Sequence, residues 1–117
     1  MDDGTVDLDQ LAGGLLADAA AQSAGRAAHT LPHPVDGLRQ TVIALVGGRQ
    51  LAEHENPGSA SLLVLRGRVR LVAGDRTDVL DAHQICPIPD RRHSLHADVD
   101  SVVLLSVAVP QRAPGAQ

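Results

Sequence analysis

The sequence predicts an all-β protein: one antiparallel barrel preceded by a single helix. Three observations lead there. Short segments rich in Val, Leu and Ile recur along most of the chain, Gly, Pro, Asn and Asp punctuate them, and only one early segment carries helical spacing.

The helical segment covers residues 6–22. Leu8, Leu11, Leu15 and Ala19 recur three and four positions apart, alanine is abundant, and Asp7 or Asp9 suits the N-cap. Gly13 and Gly14 weaken it. Its leucine face is expected to pack on the outside of the barrel or on a partner subunit. Strands are expected at 26–31, 38–46, 50–53, 61–66, 68–72, 77–80, 83–88, 93–97 and 101–109. The turn-rich run 32–37 and Gly47-Gly48 separate the first of these. Asn56-Pro57-Gly58 suits a type II turn, and Gly67 suits a bend between two strands. Residues 1–24 thus form a helical segment, 25–110 the barrel, and 111–117, rich in Pro, Gly, Ala and Gln, a flexible tail.

Leu62-Leu63-Val64-Leu65 and Val102-Val103-Leu104-Leu105 are apolar on both strand faces. A small antiparallel barrel needs only its inner face buried, so these runs ask for a second cover. A homodimer contact is the favoured cover, with the N-terminal helix as its rival.

Composition narrows function. The 117 residues have room for one domain and one core, with a net charge of −4 and 21% charged residues. The ten basic residues are all arginine and scattered; the densest group, Arg66, Arg68 and Arg70, reads as one solvated strand face. No broad basic footprint exists for nucleic acid. Phe, Tyr and Trp are absent, so the core is aliphatic and no ligand stacks on an aromatic ring. Tyrosine acid–base chemistry and lysine nucleophiles are excluded with them. The single cysteine, Cys86, sits in an apolar run and reads as a small core residue. An acidic start with no long apolar stretch gives neither signal peptide nor membrane span, so a cytoplasmic location is expected.

Gly48 is followed six residues on by His54, then by Asn56, Ala60 and Gly67; later the turn Pro87-Ile88-Pro89-Asp90-Arg91-Arg92 leads into His93. In this spacing, over about residues 38–109, the chain resembles the cupin superfamily, and the resemblance implies a jelly-roll-type barrel. The family's first motif carries two His, a Glu and a closing Gly. This chain keeps the first His as His54 and the Gly as Gly67, with Asn56 and Ala60 at the second His and the Glu. The resemblance implies that His54 and His93 match metal-ligand positions and that His54, Asn56 and His93 are the candidate ligand-binding residues. Two imidazoles and an amide oxygen without an anion make a poor divalent-metal site. Glu53 and Glu55 flank His54 and alternate away from its face. His96 falls on the face opposite His93, while His29, His33 and His83 read as surface or interface residues.

Three functions stay open. The favoured one is a non-catalytic cupin that binds or senses a small molecule in an aliphatic barrel, with no catalytic residue and no cofactor. The second is a cupin enzyme, dioxygenase or isomerase in type, with a divalent transition metal on His54 and His93. The third is a dimeric scaffold.

Overall fold

A computed structural model describes residues 4–31, 35–54 and 59–109, apart from the side chains of Glu53 and His54. Helix α1 spans Leu8–Ala21 and starts at Asp7, whose carboxylate accepts from the backbone N–H of Asp9 and of Gln10, both at 3.1 Å. Those two donors have no partner inside the helix, and the aspartate satisfies them. The helix runs through Gly13 and Gly14 without a break.

Nine strands follow: β1 (Arg26–Thr30), β2 (Leu38–Leu45), β3 (Gln50–His54), β4 (Ala60–Arg66), β5 (Arg68–Ala73), β6 (Arg76–Asp81), β7 (Ile85–Pro87), β8 (His93–Ala97) and β9 (Ser101–Ala108). They form two antiparallel sheets, ordered β1-β2-β9-β4-β7 and β3-β8-β5-β6. The expected all-β barrel with one N-terminal helix is what the chain forms. Strand β7 is shorter than the expected 83–88, because His83 adopts a left-handed φ of 71°. It sits in a turn where the Gln84 side chain accepts from the Asp81 N–H at 2.7 Å. The expected turn at 56–58, His33 and the tail 111–117 lie outside the described residues.

The two sheets enclose a wholly aliphatic core in which Leu45, Val64, Val69, Leu71 and Val103 are almost completely buried. Alternation turns Val42, Ala44, Val102 and Leu104 to the outer face of the five-stranded sheet, where Ala12, Leu15 and Ala19 of α1 bury them. The rival explanation therefore accounts for the double-sided apolar strands: the protein's own helix is the cover. These strands do not by themselves require a second subunit. Cys86, expected as a buried core residue, is only half-buried and packs against the inner core from its edge strand.

The three clustered arginines do not share a face. Arg66 ends β4 and binds Asp9 of α1, with Nη2 2.8 Å from the carboxylate and 2.9 Å from the backbone carbonyl. Arg68 and Arg70 lie on the outer face of the other sheet, paired with Asp81 at 2.7 Å and Asp98 at 2.8 Å. Gly67 is the reason, since the chain crosses from one sheet to the other there with φ 87°. A Cβ on Gly67 would collide with Ser101 Oγ and the Asp100 carbonyl. Ser101 Oγ accepts from the Arg68 N–H at 3.1 Å and lies 2.7 Å from the Val99 carbonyl, fixing the crossing.

Two substitutions test this account by urea unfolding followed in far-UV circular dichroism. Gly14 is an exposed helix-interior residue with nothing within 4 Å of an added Cβ, so Gly14→Ala is expected to stabilise by about 0.5–1 kcal/mol. Gly67→Ala adds a left-handed backbone penalty to a backbone collision and is expected to cost about 2–4 kcal/mol.

Candidate functional site

His93 opens β8 and is 2% exposed, the one imidazole in the described protein that is fully buried. Strand alternation turns it inward with Leu95 and Ala97, toward the space between the sheets. Its Nδ1 lies 2.8 Å from the Arg91 carbonyl oxygen. A carbonyl only accepts, so Nδ1 donates, and in the neutral ring Nε2 is the acceptor nitrogen. The local chain dictates this, because the residue two positions upstream in the Pro-rich turn supplies the carbonyl.

Seven aliphatic side chains line the space with the ring. Ile43, Leu62 and Leu105 come from the five-stranded sheet, Leu51, Leu71 and Leu95 from the four-stranded sheet, and Ile88 from the segment after β7. The enclosed space is about 20 Å³. That is room for one water-sized group.

Of the other residues singled out by the sequence, His54 ends β3 with its Cα registered opposite that of His93. The side chain of His54, and Asn56 and Glu55 as a whole, lie outside the described residues. Ala60 pairs with Val107 and shares the inward face of β4 with Leu62 and Val64, so this position presents a methyl group inward. His96 faces the opposite way from His93, as alternation predicts, with Nε2 2.9 Å from Ser94 Oγ. His29 and His83 are exposed.

Among the described residues no three His, Cys, Asp or Glu side chains converge, and the described wall around His93 is hydrocarbon. A divalent transition metal needs several N, O or S donors, preferably including an anion.

The sequence did not single out the Arg91 carbonyl that orients His93, nor the wall residues Ile43, Leu51 and Leu105. Their apolar character was visible. Their convergence depends on which strands pair, which periodicity alone does not give. A larger surface depression of about 730 Å³, including Leu8, Leu31 and Leu104, lies on the helix side and shares no lining residue with the His93 chamber.

No family model matches the chain. No curated protein matches it in sequence. Solved structures do match in fold. A conserved protein of unknown function from Streptococcus pyogenes superimposes with a TM-score of 0.72 at 23% identity, over 95% of this chain and 91% of that one. A cupin superfamily protein from Desulfitobacterium hafniense gives 0.66 at 16% identity, over 73% and 78%. A salicylate 1,2-dioxygenase from Pseudaminobacter salicylatoxidans gives 0.74 at 17%, over 85% of this chain and 33% of that one. The protein is a small cupin-fold protein. Identities this low establish the fold and carry no activity across.

Cys86 gives a chemical check on the packing beside this site. Burial pushes its thiol above the ordinary range, Asp78 adds to the effect, and Arg76 partly opposes it. Alkylation proceeds through the thiolate, so a higher pKa leaves less reactive species at a given pH. Iodoacetamide at pH 8 is expected to modify Cys86 several-fold more slowly in the folded protein than in urea. Equal rates would mean that the thiol is not held among apolar neighbours.

Proposed function

We propose that this cupin-fold protein is a non-catalytic binding protein, taking one small, largely apolar molecule in its barrel with the His93 ring as the polar anchor. The observation that carries the reading is the oriented His93 imidazole, set among side chains that are aliphatic as far as the described residues go. Such a wall recognises apolar bulk, and one fixed polar group orients it. His54 and Asn56 enter the proposal as secondary contacts, whose replacement by alanine is expected to weaken binding less than loss of His93.

Catalysis is not part of the proposal. Ala60 removes the carboxylate that acid–base work or metal binding would need at that place. The wall is also the part that adapts. At about 20 Å³ the chamber admits an organic molecule only when aliphatic side chains turn aside, and Ile43 and Leu51 are only partly buried.

The test uses the unusual composition. With six histidines and no Phe, Tyr or Trp, the aromatic proton spectrum of the protein contains imidazole signals alone. Titration with a panel of small apolar alcohols, amides and carboxylic acids is expected to shift the His93 ring signals and raise the melting temperature. At a hundred times Kd the stabilisation is about 2.7 kcal/mol. His93→Gln is expected to remove both responses while the far-UV spectrum stays unchanged. Metal analysis of protein purified without a histidine tag supplies the counter-test. A stoichiometric transition metal, lost in the His54→Ala, His93→Ala double variant, would overturn the metal-free reading.

A further inference from the structure

The His93 chamber has a neighbour that shares its wall. Strands β1 and β3 are terminal in their respective sheets and do not pair with each other, so one side of the sandwich is open between them. A cleft of about 310 Å³ occupies that opening, lined by Arg26, Ala27, Ala28, Ile43 and Leu51. Ile43 and Leu51 also line the chamber around His93. Two side chains, both partly buried, thus stand between an open cleft and an enclosed imidazole. The cleft is at the lower end of the size range for small-molecule sites, about 300–1,000 Å³, whereas the chamber alone is far below it.

The rim of the cleft carries charge. Register pairs Arg26 with Leu45 and Ala28 with Ile43, which sets both β1 residues on the inner face of the sheet, over the gap. Arg26 is exposed and its side chain makes no ion pair or hydrogen bond among the described residues. A second cation is close. The side chain of Arg49 lies against Gly25, with Cγ and Nε 2.7 Å from the place a Cβ would take. An apolar cleft with the Arg26 guanidinium at its rim complements a molecule with a compact hydrocarbon body and one anionic end.

We propose that the β1–β3 cleft is the entrance and outer half of the binding site, and that its ligand is a small apolar monocarboxylate. The carboxylate rests on Arg26, the hydrocarbon body lies against Ala28, Ile43 and Leu51, and the last two side chains turn aside to admit its far end to the His93 chamber. This assignment rests on the barrel-binding reading above, moves the polar anchor for this ligand class from His93 to Arg26, with the His93 ring as the inner wall, and adds the route.

Hexanoate, hexanamide and acetate are the probes, followed by saturation-transfer NMR and by amide shifts of residues 26–28, 43 and 51. Hexanoate is expected to bind at least ten-fold more tightly than hexanamide, which lacks the charge, and than acetate, which lacks the body. Arg26→Glu is expected to weaken hexanoate at least ten-fold and leave hexanamide unchanged. Ala28→Leu, at a sheet edge, fills the cleft without emptying the core and is expected to abolish both; a thermal melt verifies that each variant is folded. Added salt weakens hexanoate selectively.

Binding of hexanoate and hexanamide that depends on His93 but ignores Arg26 and Ala28 would overturn the side entrance and leave the barrel reading standing. Failure of these probes and of the whole panel to move His93 would overturn both. Equal binding of acetate and hexanoate would reduce the cleft to a general anion site and overturn the ligand class. Concentration-dependent shifts of residues 26–28 without ligand, with a dimer in sedimentation, would assign the cleft to a second copy of the chain and overturn the proposal.

Discussion

Val42, Ala44, Val102 and Leu104 point out of the barrel and are nevertheless buried, because α1 lies across them. The central strands of the five-stranded sheet are therefore apolar on both faces, and much else in the molecule answers to that constraint. Without aromatic side chains the barrel interior is filled by Leu, Val, Ile and Ala, each contributing less buried surface than a ring would. A second apolar layer under the helix adds burial that a small barrel lacks. The register of β2, β9 and β4 is pinned by the same arrangement. A one-residue slip would exchange the helix-facing and core-facing sets, which differ in size: Ala44 and Val102 are small beneath the helix, while Leu45 and Leu62 fill the inside.

The helix is tied to the barrel at a defined point. Arg66 grips the first turn of α1 through both the carboxylate and the backbone carbonyl of Asp9, one residue before the chain turns at Gly67 into the other sheet. The pair is substantially exposed, so its value lies more in position than in energy. Packing of Ala12, Leu15 and Ala19 supplies the stability, and the arginine sets where along the sheet the helix starts. Ser101, buried beside Gly67, holds the crossing from below through its hydroxyl. Helix position, sheet crossing and β9 are thereby linked within a few residues.

This explains what the sequence could and could not disclose. Strand β8 was legible to the residue, since His93-Ser94-Leu95-His96-Ala97 alternates cleanly and a Pro-rich turn precedes it. The helix was legible because Leu8, Leu11, Leu15 and Ala19 share a stripe, and two glycines in it are tolerated when tertiary packing supports the element. The arginine cluster was misread. Alternation places Arg66, Arg68 and Arg70 on one face only if the strand continues, and the positive φ at Gly67 ends it. The cover of the outer face was named but ranked second, since a sequence does not say which of two apolar surfaces meets a third. Motif spacing singled out His93 as a candidate. Its aliphatic surroundings were not legible, because Ile43, Leu51 and Leu105 converge on it only through the order in which strands pair.

The surroundings decide what one imidazole can do. A ring with Nδ1–H donated to the Arg91 carbonyl has one tautomer and one orientation, which is how a metal-binding histidine is commonly prepared. Here the same orientation accompanies a methyl group at the inward position of Ala60 on β4 and a described wall that is hydrocarbon. In the proposed reading such a chamber discriminates by hydrocarbon fit and by contact with the ring. Arg26, beyond the Ile43–Leu51 partition, places a positive charge at the opposite end of the same aliphatic path. A charge at the mouth of an apolar passage favours an amphiphilic molecule over a purely apolar one, because it attracts an anionic end that the latter lacks.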